Sequence, residues 1–92
     1  MTYSIETTSG FEKDIKLIAK RAWDISLLKE VIELLEAGNT LPPKYKNHKL
    51  KGEWIGVWDC HIQPDWVLLY RKDEKAKIIY LIATGTHSDL FR

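Results

Sequence analysis

The sequence predicts an α+β domain: an N-terminal strand and a helical hairpin packed on a mostly antiparallel β-sheet, in the order β-α-α-β-β-β. Three observations carry that expectation. Apolar residues recur at helical spacing through residues 9–38. Three β-rich apolar runs follow within residues 53–84, joined by connections short enough for hairpins. The chain has 92 residues, enough for one modest core and too few for two, so residues 1–92 read as a single domain.

Residues 2–7, TYSIET, alternate well enough for a short strand. From Ser9 the period becomes helical. Phe11, Ile15, Ile18 and Ala22 follow one another at steps of four, three and four, which makes one apolar face. Ser9 is placed to cap this helix, with Glu12 completing a capping box. Asp24 can cap a second helix, ISLLKEVIELLEAG, with Ile25, Leu28, Ile32 and Leu35 as its buried face and Gly38 as its stop. So short a break makes the two helices an antiparallel hairpin. Residues 39–52 read as loop, because Pro42 and Pro43 exclude helix. The strand candidates are 53–62, 66–71 and 77–84. The last two are apolar at consecutive positions, the pattern of central strands buried on both faces. GTHSDLFR follows as a tail.

Formal net charge is +1, but it is unevenly spread. Residues 1–43 carry five basic and seven acidic side chains, and residues 44–92 carry nine and six. KYKNHKLK holds Lys44, Lys46, Lys49 and Lys51 with no acid. That is the footprint expected of a phosphate-bearing partner, and also of an ordinary solvated loop. No apolar run approaches a membrane span, and the N-terminus lacks the pattern of a secretory signal. The lone Cys60 can form no internal disulfide. A cytoplasmic protein with no membrane contact is therefore expected.

The connectivity brings distant polar residues together. If the strand ending at His61 runs upward, the QPD turn puts Asp65 at the top, the next strand runs down and the last returns, so His87 also emerges at the top. His48 precedes this meander and falls nominally at the other end, on a loop long enough to cross the sheet. Histidine moves protons near neutral pH without large tuning. RNA cleavage by a 2′-hydroxyl needs a base, an acid for the leaving 5′-oxygen, and positive charge near phosphorus. This set supplies candidates for each, and Trp54 and Phe91 offer faces on which an unstacked base could rest. Zinc could in principle use His48, Cys60, His61, Asp65 and His87, but no two have the close spacing of zinc motifs. No metal or other cofactor is expected. Cys60 alternates with His61 and reads as core, not as a nucleophile.

YKNHKLKGEWIG, DCHIQPDWVLLYR and TGTHSDLF resemble the corresponding segments of the YafQ-type toxins, in the RelE/ParE superfamily of bacterial toxin–antitoxin modules. The resemblance extends over nearly the whole chain, and three motifs in the right order and spacing make it specific. It implies a RelE-like fold and a ribosome-dependent messenger-RNA endonuclease that cuts codons in the decoding site and stops translation. YafQ-type members favour in-frame adenine-rich lysine codons. Cleavage in the family is metal-free, with 2′-hydroxyl attack giving a cyclic phosphate and a free 5′-hydroxyl. The implied partners are the ribosome, messenger RNA and a cognate antitoxin, typically a small ribbon-helix-helix DNA-binding protein through which alone operator DNA is reached. Residue by residue, the resemblance implies catalytic positions at His48, His61, Asp65 and His87, with Phe91 beside the last in the C-terminal motif.

On this reading His87 is the expected general acid and His61 or His48 the base, while Asp65 orients a histidine or acts as base itself. Lys44, Lys46, Lys49, Lys51, Arg71 and Phe91 are the expected RNA- and ribosome-binding residues. Many relatives carry arginine at the positions of Trp58 and Ala83, a residue type suited to a transition-state phosphate; here Lys49, Lys51 or Arg71 would stand in. Two other functions fit the same fold. A ParE-like DNA gyrase inhibitor would need no histidine set, so its toxicity would survive substitution of His61 and His87. A catalytically weak toxin serving mainly as co-repressor partner of its antitoxin would not arrest growth.

Overall fold

The computed structural model describes residues 2–91. Its elements are β1 (Ser4–Thr7), α1 (Ser9–Lys20), α2 (Ile25–Glu36), β2 (His48–Lys49), β3 (Trp58–Gln63), β4 (Trp66–Asp73), β5 (Ile78–Gly85) and α3 (His87–Leu90), with 3₁₀ turns at Pro43–Tyr45 and Gly52–Trp54. The strands form one sheet in the order β1-β5-β4-β3-β2. β1 is parallel to β5, and the other neighbouring pairs are antiparallel. The expected α+β arrangement is thus present, with β2 as an additional edge strand.

Local chemistry sets the helix limits. The cap of α1 is Thr8, not Ser9: its hydroxyl oxygen accepts the Phe11 N–H at 3.2 Å. The same hydroxyl lies 3.0 and 3.1 Å from the Leu81 and Ile82 carbonyls, so the cap also pins α1 to β5. Glu12 makes no capping box and accepts from the Thr7 hydroxyl. α1 stops at Lys20, because Ala22 and Trp23 donate back to Ala19 and Ile18 in a Schellman motif with Ala22 at φ 59°. Ala22 is therefore exposed and not part of the buried face. Asp24 caps α2 as expected, accepting the Ser26 N–H at 3.0 Å. Gly38, at φ 78°, closes a second Schellman motif in which Gly38 and Asn39 donate to Leu35 and Leu34. The buried stripe of α2 is Leu28, Val31 and Leu35, rotated from the predicted one; Ile25 is exposed and Ile32 half-buried.

The helices pack mainly on the sheet, α1 on β5 and α2 on β3, and less on each other than a helical hairpin suggests. One core joins Phe11, Ile18, Leu28, Val31 and Leu35 to Cys60, Ile62, Leu68, Tyr70, Ile79 and Leu81. β4 is buried continuously from Trp66 to Tyr70, as its unbroken apolar run predicts. Its other-face residues Val67 and Leu69 are buried outside that core, as is Val57. The strand expected over 53–62 begins only at Trp58, because Gly52 and Gly56 turn the chain at φ 66° and 87°. The expected tail contains α3. No helix among the described residues is long and apolar enough to cross a membrane.

Candidate active site

Alternation along β3 puts Trp58, Cys60 and Ile62 on the helix side and Asp59 and His61 on the open side. Across the sheet, His61 pairs with Val67 and Val67 with Gly85. A Cβ on Gly85 would lie 2.8 Å from the Asp89 carboxylate, so glycine lets β5 pass closely into α3. Thr86 and Asp89 then form a capping box that opens α3 at His87. Arg21 grips Asp89 through two N–H···O contacts of 2.7 and 3.2 Å. This guanidinium, with the Thr86 N–H, holds the Asp89 carboxyl far below the usual carboxylate range.

Asp65, on the β3–β4 turn, meets His87 as the connectivity predicts. Its Oδ1 accepts the His87 Nδ1–H at 2.7 Å and the His87 backbone N–H at 3.1 Å. A carboxylate only accepts, so Nδ1 carries the hydrogen and Nε2 is left for another partner. The hydrogen bonds from His87 also hold the Asp65 carboxyl below its ordinary range. The His61 ring centroid is 5.3 Å from that of His87 and 6.4 Å from that of His48.

His48 lies with this group, not at the far end of the sheet as strand polarity suggests. The two-residue β2 folds the lysine-rich loop back beside β3 and sets His48 opposite Asp59. Its Nδ1–H donates to the Lys46 carbonyl at 2.8 Å. Asp59 is a further member that sequence reasoning misses. Its side chain is 5% exposed and sits between two imidazoles, Oδ2 3.9 Å from His48 Nε2 and Oδ1 3.8 Å from His61 Nε2. Oδ1 has no hydrogen-bond partner among the described residues. The signal that could have found it is its place two residues before His61, which puts both on one strand face.

The remaining candidates divide. Phe91 lies beside His87 at 6.1 Å and edge-on to Trp54 at 5.6 Å, forming an aromatic wall at the histidines. Lys44 and Lys46 join His61, Glu30 and Gln63 around a cleft of about 290 Å³. Lys51 is exposed where the second 3₁₀ turn begins. Arg71 lies against Gly56, where a Cβ would come within 2.8 Å of its guanidinium. Lys49 differs: it pairs with Trp58, and its ammonium lies over that ring at 5.2 Å, on the face opposite Asp59 and His61. Trp58 stacks on Tyr70 on that same face. A side chain at position 58 therefore points away from the histidines, so the arginine missing there is not missing from their face. Ala83 does share the histidine face, in one row with Leu69 and Asp59. Cys60 is fully buried, and burial, reinforced by the Asp59 charge, pushes its thiol up to about 12.

Residues 3–92 match the family described as the bacterial toxin of type II toxin–antitoxin system, YafQ. The chain belongs to the YafQ toxin family. It is 43% identical over 89 residues to the mRNA interferase toxin YafQ of Escherichia coli K12, covering 95% of this chain and 94% of that protein. It superposes on the crystal structure of YafQ from E. coli BL21(DE3) with a TM-score of 0.89 at 40% identity, covering 98% of this chain and 99% of that one. The E. coli DinJ–YafQ toxin–antitoxin complex contains a chain similar at TM-score 0.91 and 39% identity, with complete coverage of both. In this chain the fold places three histidines and two carboxylates on one sheet face and its end.

Proposed function

We propose that this protein is a ribosome-dependent messenger-RNA endonuclease, the toxin of a type II pair, acting in the cytoplasm. The observation that carries the proposal is the Asp65–His87 couple, joined at 2.7 Å, with a second imidazole 5.3 Å away. Asp65 accepts the Nδ1–H and holds His87 in one orientation with Nε2 left for another partner, which suits His87 to protonate the leaving 5′-oxygen from Nε2. His61 or His48 takes the proton of the attacking 2′-hydroxyl. Phe91 and Trp54 supply a surface for an unstacked base, and Lys44 and Lys46 supply phosphate contacts along the cleft beside His61. Lys51 and Arg71 extend the positive edge. The products are a cyclic phosphate and a free 5′-hydroxyl. By analogy with the DinJ–YafQ toxin–antitoxin complex, an antitoxin restrains the toxin; the family resemblance implies that it carries a ribbon-helix-helix part through which operator DNA is reached.

The test maps RNA 5′ ends in a translating extract given the purified protein or its His87→Ala variant. Cuts inside codons of translated messages, absent from untranslated ones and lost in the variant, are expected. Equal cutting by the variant would remove His87 from the chemistry. Growth arrest that persists in the His61→Ala, His87→Ala double variant would instead favour a gyrase-directed toxin.

A further inference from the structure

We propose that Arg21 is a positioning residue for the C-terminal motif: from the end of α1 it holds the one-turn helix α3, through Asp89, in the place that keeps His87 against Asp65. The inference rests on the endonuclease reading and deepens it, giving a part to a side chain far from the histidines in sequence. α3 has four residues, His87–Leu90, too few to persist by its own backbone bonds. Its capping box satisfies the first turn but is internal, joining Thr86 to Asp89. Hydrogen bonds from two other parts of the fold reach it. Asp65 accepts the His87 backbone N–H at 3.1 Å, and Arg21 donates to both Asp89 oxygens at 2.7 and 3.2 Å.

Arg21 is itself anchored. It caps α1, its backbone N–H donates to the Leu17 carbonyl at 3.0 Å, and Ala22 turns the chain immediately after it. Its guanidinium lies 5.2 Å from the centroid of the Trp23 ring, and Trp23 packs on the buried Trp66. The fork is thus presented from a fixed base. α1 meets β5 and its extension at intervals of roughly two turns. Thr8 lies at the Leu81 and Ile82 carbonyls, Asp14 accepts the Thr84 N–H at 3.1 Å, and Arg21 grips Asp89. Arg21 is the contact of this series that reaches α3. It also compensates a carboxylate that has an acidic neighbour. Burial, and then the Asp89 charge, push the Asp14 carboxyl up, so the two acids repel. Without the guanidinium that repulsion acts unopposed across Gly85, where β5 passes closely into α3. α3 then swings outward, and the His87 ring loses its fixed distance to Asp65.

The experiment uses the full chain carrying Arg21→Ala, Asp89→Asn or both, assayed well below the melting temperatures. Cleavage of message on programmed ribosomes should fall about 10-fold in kcat for Arg21→Ala, with KM changed by less than about twofold, because geometry is lost and no RNA contact is. Arg21→Lys, a single ammonium in place of the fork, should recover part of the loss. Asp89→Asn should lose a similar amount, and adding Arg21→Ala to it less than about twofold more, since both act through one pair. Losses that multiply in the double variant would overturn the inference. A rise in KM with kcat unchanged would overturn it too, making Arg21 a phosphate contact. Backbone ¹⁵N relaxation provides a readout independent of cleavage and of global stability. In Arg21→Ala the order parameters of the 87–90 amides should fall from about 0.85 toward about 0.6, while those of β4 stay rigid. A His87 amide unchanged in both resonance and order would refute the hold on α3, as would order lost equally along β4. If the unsubstituted protein cuts no RNA, the endonuclease reading fails, and the relaxation data still decide whether Arg21 holds α3.

Discussion

Thr84→Val isolates the buried hydrogen bonds that hold β5 in register just before His87. The Trp66 Nε1–H donates to the Thr84 hydroxyl at 2.8 Å, and that hydroxyl donates to the Val67 carbonyl at 2.8 Å. Trp66 and Thr84 are both about 2% exposed. Valine keeps the shape of threonine but leaves the indole N–H buried without an acceptor, which costs about 1–3 kcal/mol. The Val67 carbonyl, with two lone pairs, adds roughly 0.5 kcal/mol. The expected loss is therefore about 1.5–3.5 kcal/mol, or roughly a 1.5–3.5 M fall in urea midpoint at a slope near 1 kcal/mol/M. Trp66→Phe should cost about 2 kcal/mol through lost volume, including its contact with Trp23 at a centroid distance of 5.0 Å. In the Trp66→Phe background no indole N–H remains to be orphaned, so adding Thr84→Val should then cost only about 0.5–1 kcal/mol. A double-mutant cycle by urea denaturation should thus give a coupling of about 1–2 kcal/mol. Strict additivity, within about 0.5 kcal/mol, would refute the claim that this bond chain carries the energy.

Other outcomes follow from the same geometry. Asp65→Ala frees the His87 ring and should lower kcat about 10²-fold or more, measured by single-turnover cleavage. Asp65→Asn should fall between that variant and the unsubstituted protein, because an amide oxygen can accept the same two N–H groups without the charge. Asp89 has its carboxyl depressed by Arg21, so its stabilising effect is present above about pH 4 and is lost as pH falls below that. Thermal melts should accordingly show Arg21→Ala lowering Tm at pH 7 and doing so much less near pH 2, where an equal drop would contradict the pairing. Replacing Lys44 and Lys46 together should lower the slope of log affinity against log salt for RNA by about 1–2, whereas Lys49→Ala, on the other face, should leave it nearly unchanged. Cys60, with its thiol raised to about 12, should resist alkylation at pH 8 until the protein is unfolded in urea.

The parts of this site legible in the sequence are those fixed by hairpin connectivity. His61, Asp65 and His87 had to converge, because two short connections leave the strands no other course. His48 is not legible in the same way: β2 is two residues long and has no periodicity, so only its pairing with β3 reveals that it reaches the histidines. The same pairing turns Lys49 away from them, a consequence of strand parity that needs the register to be known. Asp59 escapes notice in the sequence because acids in strands usually face water, whereas here the loop that brings His48 also covers the carboxylate. The end of α1 is hidden because Ala22, not glycine, occupies the left-handed position that closes the helix. Where glycine does so, at Gly38, the limit is plain.

In the proposed reaction the imidazoles drive attack by the RNA's own 2′-hydroxyl. A message bearing a single 2′-deoxynucleotide on the 5′ side of the mapped cut, bound to a programmed ribosome and mixed with the protein in one turnover, tests it most directly. The deoxy message should stay intact at that bond, while the all-ribose message is cut to a 2′,3′-cyclic phosphate and a 5′-hydroxyl. Cleavage of the deoxy message at the same bond and a comparable rate would contradict it.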